Sequence, residues 1–235
     1  MRSFTFPVGY HQMHRTKIID FQLNRWVSLG YMRLADMRAA AANIRTLDDW
    51  KDEMLHQADA ALDEDRLMNS TFAVRAAEFF THPSDPDKAA LYDRFIDLFY
   101  DELFAEDRIE RHDVLYGAAH LPAYRVPPVT TPTRGKLLIH GGFDSFKEEF
   151  YSAAVAFANQ GYDVVVFDGP GQGGALKSYA MPMDIAWEAP VGAVLDHFRW
   201  DDVTLLGISM GGWLCFRAAA FEPRISRVIA SSIAF

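Results

Sequence analysis

Three short apolar runs constrain this chain more than any other feature: KLLIH at 136–140, YDVVVFD at 162–168 and DVTLLGIS at 202–209. Between them lie SFKEEFYSAAVAFANQG and MDIAWEAPVGAVLDHFRW, both with helix-like apolar spacing. Continuous apolar strands that alternate with helices must be covered on both faces, which a parallel sheet between helical layers achieves. ISRVIASSIAF at 225–235 supplies a last strand, and upstream RHDVLY and LPAYRVP flank the turn GAAH as a hairpin.

The period changes near residue 108. Before it there is almost no strand signal. Thr46 with Asp49 three residues on has the form of a capping box, and Leu47, Trp50, Met54, Leu55 and Ala58 follow at helical spacing. Asp85-Pro86 is a second helix start, a cap followed by proline at the first helical position, with Leu91, Phe95, Leu98, Phe99 and Leu103 behind it. The stretch from Arg15 to Ile44 reads as one or two more helices, interrupted at Gly30. The reading is therefore an α/β core at 108–235 preceded by an all-helical cap or lid module at 1–107.

Charge and cysteine content narrow the class. With 23 basic and 32 acidic residues the chain carries −9, a poor balance for binding nucleic acid or an acidic membrane surface. The single Cys215 cannot form an internal disulfide, and no Cys/His cluster has zinc spacing. MRSFTFPVGYHQMHRTKII lacks the apolar run of a signal peptide, and no segment is long and apolar enough to span a bilayer. A cytoplasmic protein is the expectation.

In a parallel sheet the ligand site lies beyond the carboxyl ends of the strands, and three glycine turns fall there: HGGFDS, DGPGQGG and GISMGG. The last satisfies G-x-S-x-G with Gly207, Ser209 and Gly211, between an apolar strand and the helix-like WLCFRAAAF. That context lifts a serine hydroxyl above the sheet and points the N–H of Met210 at a developing oxyanion. The loop after the strand neighbouring the serine strand supplies the other oxyanion donor, Gly142 or Phe143. His140 and Gly141 hold that loop, His140 by hydrogen bonds. In DGPGQGG, Gly169, Gly171 and Gly174 match G-x-G-x-x-G, the dinucleotide fingerprint, yet no helix is expected within the motif, because Pro182 follows closely and ALKSYAMPMD has no apolar face. Asp168 is read instead as a cap on this turn.

These turns, in this order and spacing, resemble the α/β-hydrolase superfamily over about residues 108–235. RAAEFF and LPAYR, with the helical first half, resemble the branch holding 2,6-dihydroxypseudooxynicotine hydrolase and the fermentation-respiration-switch-type esterases. The resemblance implies a serine hydrolase without metal or organic cofactor, cleaving an ester or an activated carbon–carbon bond beside a carbonyl of a small molecule. It implies Ser209 as nucleophile, Met210 with Gly142 or Phe143 as oxyanion hole, and a helical module that covers the active site.

One part of the pattern is missing. The family orders its triad Ser, then Asp or Glu, then His, and after Ser209 there is only Glu222, at the wrong end of the sheet, and no histidine. His197 lies six strand residues before the serine, about 20 Å away. A dyad of Ser209 with His140 is conceivable on position alone, while His11, His14 and His56 belong to the helical half. The leading expectation is the N-terminal part of a serine hydrolase, ending after the sixth strand, whose Asp and His lie beyond Phe235. A binding or scaffold protein that has lost its base is the alternative, and a dinucleotide-binding oxidoreductase the third reading. A sheet ending on SSIAF would expose an apolar edge, so the isolated chain is expected to be poorly soluble or to form a homodimer through it; a monodisperse monomer in light scattering would contradict this.

Overall fold

The computed structural model describes residues 2–103 and 109–231. The chain divides into two units, Phe4–Asp107 and a second made of Met1–Ser3 with Arg108–Phe235.

In the first unit, five helices follow one another: α1 (Lys17–Ser28), α2 (Leu34–Asn43), α3 (Asp48–Asp63), α4 (Leu67–Phe80) and α5 (Asp87–Asp97), the last running into a π-helical turn at Leu98–Leu103. The break between α1 and α2 falls where Gly30 adopts φ +80°, a conformation that costs glycine nothing. α5 begins one residue later than the spacing predicts, with Pro86 as its cap and Asp87 as its first residue, and the Asp85 Oδ1 accepts the Asp87 N–H at 2.9 Å across Pro86. The start of α3 differs from the capping box read at Thr46. Asp49 Oδ2 does accept the Thr46 N–H at 2.9 Å, but Thr46 Oγ1 donates to that same carboxylate. The hydroxyl is thus used as a donor, and the helix begins at Asp48.

The predicted stripe of α5 is buried, and it closes on Phe72 of α4. Phe72 stacks on Tyr31 with centroids 3.5 Å apart and meets the edges of Phe95 and Phe99 at 5.9 and 6.0 Å. Trp26 and Trp50 are also fully buried, whereas Phe21 is exposed, and Phe79 and Phe80 are half-buried. The two charges of RAAEFF lie inside this unit as an ion pair, Arg75 Nη1 to Glu78 Oε2 at 2.5 Å, with Lys88 Nζ on the other carboxylate oxygen at 2.8 Å.

The second unit carries a six-stranded mixed sheet. Its strands are β1 (Glu110–Tyr116), β2 (Ala119–Val126), β3 (Gly135–His140), β4 (Tyr162–Phe167), β5 (Val203–Ile208) and β6 (Ile225–Ser231), in the order β1-β2-β4-β3-β5-β6. The hairpin β1–β2 is antiparallel, β2 meets β4 antiparallel, and β4, β3, β5 and β6 run parallel. Four helices connect them: α6 (Tyr151–Asn159), entered through a 3-10 turn at Lys147–Phe150, α7 (Gly173–Tyr179), α8 (Glu188–Phe198) and α9 (Gly211–Phe221). Leu138, Val165 and Leu205 share one core cluster with Val191, Val194 and Leu195 of α8 and Leu214, Cys215 and Ala218 of α9. Side chains alternate along a strand, so the equally buried Leu137, Ile139, Val164 and Val166 face the other side, and α6 packs on β4.

α7 corrects the expectation of no helix in DGPGQGG, because it begins at Gly173 inside the motif. Its start is set from a distance, by the Asp168 carboxylate, whose Oδ2 accepts the Gly174 N–H at 2.9 Å. The carboxylate expected to cap the turn thus also starts a helix that local apolar spacing does not show. Of the last strand, residues 232–235 lie outside the described residues. Among the described residues no helix is long and apolar enough to cross a membrane.

Truncating Phe72 would leave a void beneath four aromatic rings. Phe72→Ala is expected to lower the unfolding free energy by about 3–5 kcal/mol, read from urea melts; a loss below about 1 kcal/mol would show that the cluster does not hold this unit together.

Candidate functional site

The topology brings two of the glycine turns together. The chain leaves β3 toward β4 on one side and leaves β5 toward β6 on the other, so the connections diverge beyond the carboxyl ends of β3 and β5, where open α/β sheets bind ligands. The register aligns the strand ends: His140 lies opposite Phe167 of β4 and Gly207 of β5. HGGFDS, DGPGQGG and GISMGG therefore leave the sheet at one level.

At the third turn Ser209 adopts φ +60°, a left-handed conformation that an L-residue holds only under restraint. The restraints are visible. Ser209 N–H donates to the Ser231 carbonyl at 2.8 Å, and its own carbonyl accepts from Gly212 at 2.8 Å as α9 begins. A Cβ on Gly207 would run into the Gly211 carbonyl, and one on Gly211 into that of Gly141. The small residues flanking the serine thus let β5, α9 and the loop after β3 pass one another. Ser209 is exposed, and among the described residues no hydrogen bond involves its hydroxyl.

The loop after β3 lies against this turn: a Cβ on Gly142 would stand 2.9 Å from Ser209 Cβ and 3.0 Å from Met210 N. Its own N–H is committed, since Gly142 N donates to Ser145 Oγ at 2.9 Å. Of the two donors left open by the sequence, Phe143 is the one whose N–H has no acceptor among the described residues, and the same holds for Met210. Both precede or border helical segments, and Met210 sits at the positive end of the α9 dipole. Phe143 itself is 70% exposed, at the rim.

Beneath the loop lies a buried polar layer that the sequence reading reached only through Asp168. Gln172 Nε2 donates to the carbonyls of Gly141 at 2.7 Å and Gly142 at 2.9 Å, and its Oε1 accepts the Gly169 N–H at 3.0 Å. Asp168 Oδ1 accepts the Lys147 N–H at 2.8 Å while Oδ2 caps α7. The Lys147 ammonium pairs with Glu148 and lies 3.5 Å from Asp168. Burial is the main cause that pushes the Asp168 carboxyl up to about 6, with Lys147 pulling against it. The motif reading used only the glycines of DGPGQGG; the polar Gln172 among them was the available signal.

His140 is fully buried between Phe167 and Trp187, with ring centroids 5.7 and 5.1 Å away. Its Nδ1 lies 3.1 Å from the Gly141 carbonyl; a carbonyl only accepts, so Nδ1 carries the proton. Burial lowers its pKa to about 4, which makes it a weak base. The other histidines are placed elsewhere. His197 Nε2 meets His112 Nδ1 at 3.1 Å, linking α8 to β1. His14 Nε2 lies 3.1 Å from the Ile44 carbonyl, and the His56 side chain is exposed. Glu222 pairs with Arg224 before β6, at the opposite end of the sheet from Ser209. Among the described residues no group of three or more His, Cys, Asp and Glu could hold a metal ion.

The glycines of DGPGQGG are filled by the chain itself: a Cβ on Gly169 would meet the Trp187 ring, and one on Gly171 the Met183 backbone. Gly174 gives its N–H to Asp168, so the amides of this turn face protein acceptors.

A family model described as the alpha/beta hydrolase fold matches residues 137–234. Among curated proteins, the alpha/beta hydrolase psoB of Aspergillus fumigatus is 30% identical over 93% of this chain and 59% of its own length. The 20-hydroxy-prefusarin hydrolase of Gibberella moniliformis is 35% identical over 66% of this chain and 41% of its own. The chain thus spans about three fifths of the length of the first of these relatives. The crystal structure of 2,6-dihydroxy-pseudo-oxynicotine hydrolase shares the fold, with a TM-score of 0.66 at 22% identity over 86% of this chain and 62% of that one.

The shift of His140 has a measurable sign. Its folded pKa lies below the ordinary 6.5, so between about pH 6.5 and 4 the unfolded chain binds a proton that the folded one refuses. Stability falls as pH drops through that window, by up to about 3 kcal/mol from this group. Asp168, raised to about 6, acts in the opposite sense over the same range. Comparing wild type with His140→Gln in urea melts isolates the first contribution: the variant should lose stability less steeply on acidification, and an unchanged slope would refute the assignment.

Proposed function

The chain belongs to the α/β-hydrolase superfamily, and on that premise we propose that it carries the nucleophile and oxyanion hole of a serine hydrolase. The observation that carries this reading is Ser209 at φ +60°, exposed at the switch point of the sheet beside two N–H groups that have no acceptor among the described residues. A structural turn would have no use for a strained, exposed serine: glycine fits that conformation at no steric cost. The substrate class is a small organic molecule with a carbonyl, reacting at an ester or an activated carbon–carbon bond. The relative named for 20-hydroxy-prefusarin supports the small-molecule reading.

The mechanism follows from the placement. Ser209 Oγ attacks the carbonyl carbon as its proton passes to a general base. The carbonyl oxygen becomes an oxyanion and accepts from Met210 N–H and Phe143 N–H, backbone donors that need little reorganisation as charge develops. Collapse expels the leaving group with a proton and leaves an acyl-serine, which water then hydrolyses. Of the described histidines, His140 is buried with its Nδ1 proton committed to a carbonyl, and His112 and His197 face each other. We assign none of them as the base.

The alternative reading is a pseudo-hydrolase that binds its ligand without turnover. The two readings separate with p-nitrophenyl acetate and the full-length protein. A serine hydrolase turns it over, and Ser209→Ala lowers kcat/KM by at least about 10³-fold. Turnover unaffected by Ser209→Ala would overturn the serine mechanism; no turnover in the wild type, with ligand binding intact, would establish the rival.

A further inference from the structure

Gln172 makes contacts that a turn residue does not require. It is 1% exposed, and both hydrogens of its amide are used, one on each of two consecutive carbonyls of the loop after β3. Its oxygen takes the Gly169 N–H. The orientation of the amide is fixed by chemistry: turned over, it would set an oxygen against two carbonyl oxygens and an NH2 against an N–H.

The consequence lies one bond further on. A peptide unit is planar and trans, so its C=O and N–H point in opposite directions. The carbonyl of Gly142 and the N–H of Phe143 belong to one such unit. Gln172 follows β4 and Ser209 follows β5, and β3 runs between these two strands. A Gly142 carbonyl drawn toward the β4 side therefore turns the Phe143 N–H toward the β5 side, where the Ser209 turn lies against Gly142. The loop itself, Gly-Gly with an exposed phenylalanine, has little of its own to hold that peptide plane. Ser145 anchors the preceding amide through Gly142 N, which leaves the Gly142–Phe143 plane to Gln172.

Building on the serine-hydrolase reading, we infer that Gln172 is a positioning residue for the oxyanion hole, which by holding the Gly141 and Gly142 carbonyls aims the Phe143 N–H at the carbonyl oxygen of a substrate on Ser209. It touches no reacting atom. Its effect belongs to the tetrahedral state, in which the oxyanion is present, and is small in the ground state.

The test uses the full-length protein and two variants. Gln172→Glu keeps the shape and the acceptor for Gly169 N–H but sets a carboxylate oxygen against the two carbonyls; Gln172→Met keeps the length and removes both functions. With p-nitrophenyl acetate, kcat should fall about 10–100-fold while KM stays within about twofold, since one oxyanion donor is worth about 10²–10³ in kcat and here it is misaimed, not deleted. Affinity for trifluoroacetophenone, whose adduct on Ser209 places an oxyanion in the hole, should fall in parallel; affinity for acetophenone, which forms no adduct, should not change. A folded variant that keeps kcat within about twofold overturns the inference. So does a joint loss of kcat, KM and acetophenone affinity, or failure of both variants to fold, either of which marks Gln172 as part of the scaffold. Ser209→Ala, measured alongside, keeps the two proposals apart: turnover that survives it removes the serine mechanism, whereas turnover that it abolishes and the Gln172 variants leave intact removes only the role of Gln172.

Discussion

The parallel pairing of β3 with β5 is the constraint on which the site depends. With His140 opposite Gly207, the loop after β3 and the Ser209 turn leave the sheet side by side, and every close approach among them follows. Gly207, Gly211 and Gly141 lie where backbone passes backbone, so a side chain at Gly207 or Gly211 would push the strand, the helix and the loop apart. A slip of one residue would turn alternate side chains to the other face and part Ser209 from the loop at Gly142. What resists such a slip is fit, since it would put a larger side chain where Gly207 lets the Gly211 carbonyl pass.

Above that apolar layer sits a polar one, buried just as deeply. Asp168, Gln172, Ser145, Lys147, Glu148 and Glu149 are each no more than 6% exposed. Burying charge is costly unless it is paired and hydrogen-bonded. Here four of them also fasten backbone: Ser145 and Glu149 accept the Gly142 and Phe146 amides, Asp168 ties the Lys147 amide to the start of α7, and Gln172 ties the turn after β4 to the loop after β3. Such a layer favours one arrangement of loops over others of similar packing, the rigidity that a preorganised oxyanion hole requires.

Much of this was legible in the sequence for reasons that are local. Helix starts at Asp85 and the break at Gly30 rest on proline and glycine backbone preferences, which act over two or three residues. The strands show because an apolar run bounded by turns has few other uses. Where the reading went astray, the cause was a contact distant in sequence. α7 begins inside DGPGQGG because a carboxylate six residues upstream caps it.

The sequence by itself determined the parallel α/β core, the helical unit before it, and a serine between glycines at a strand end, since apolar periodicity and glycine spacing encode each of these locally. Only the tertiary structure decided which loop amide has no acceptor among the described residues. Gly142 and Phe143 are adjacent and equally plausible as donors until Ser145 takes the N–H of one and Gln172, thirty residues away, turns the peptide of the other. That choice depends on hydrogen bonds between strand ends brought together by the sheet, and no spacing within either loop contains it.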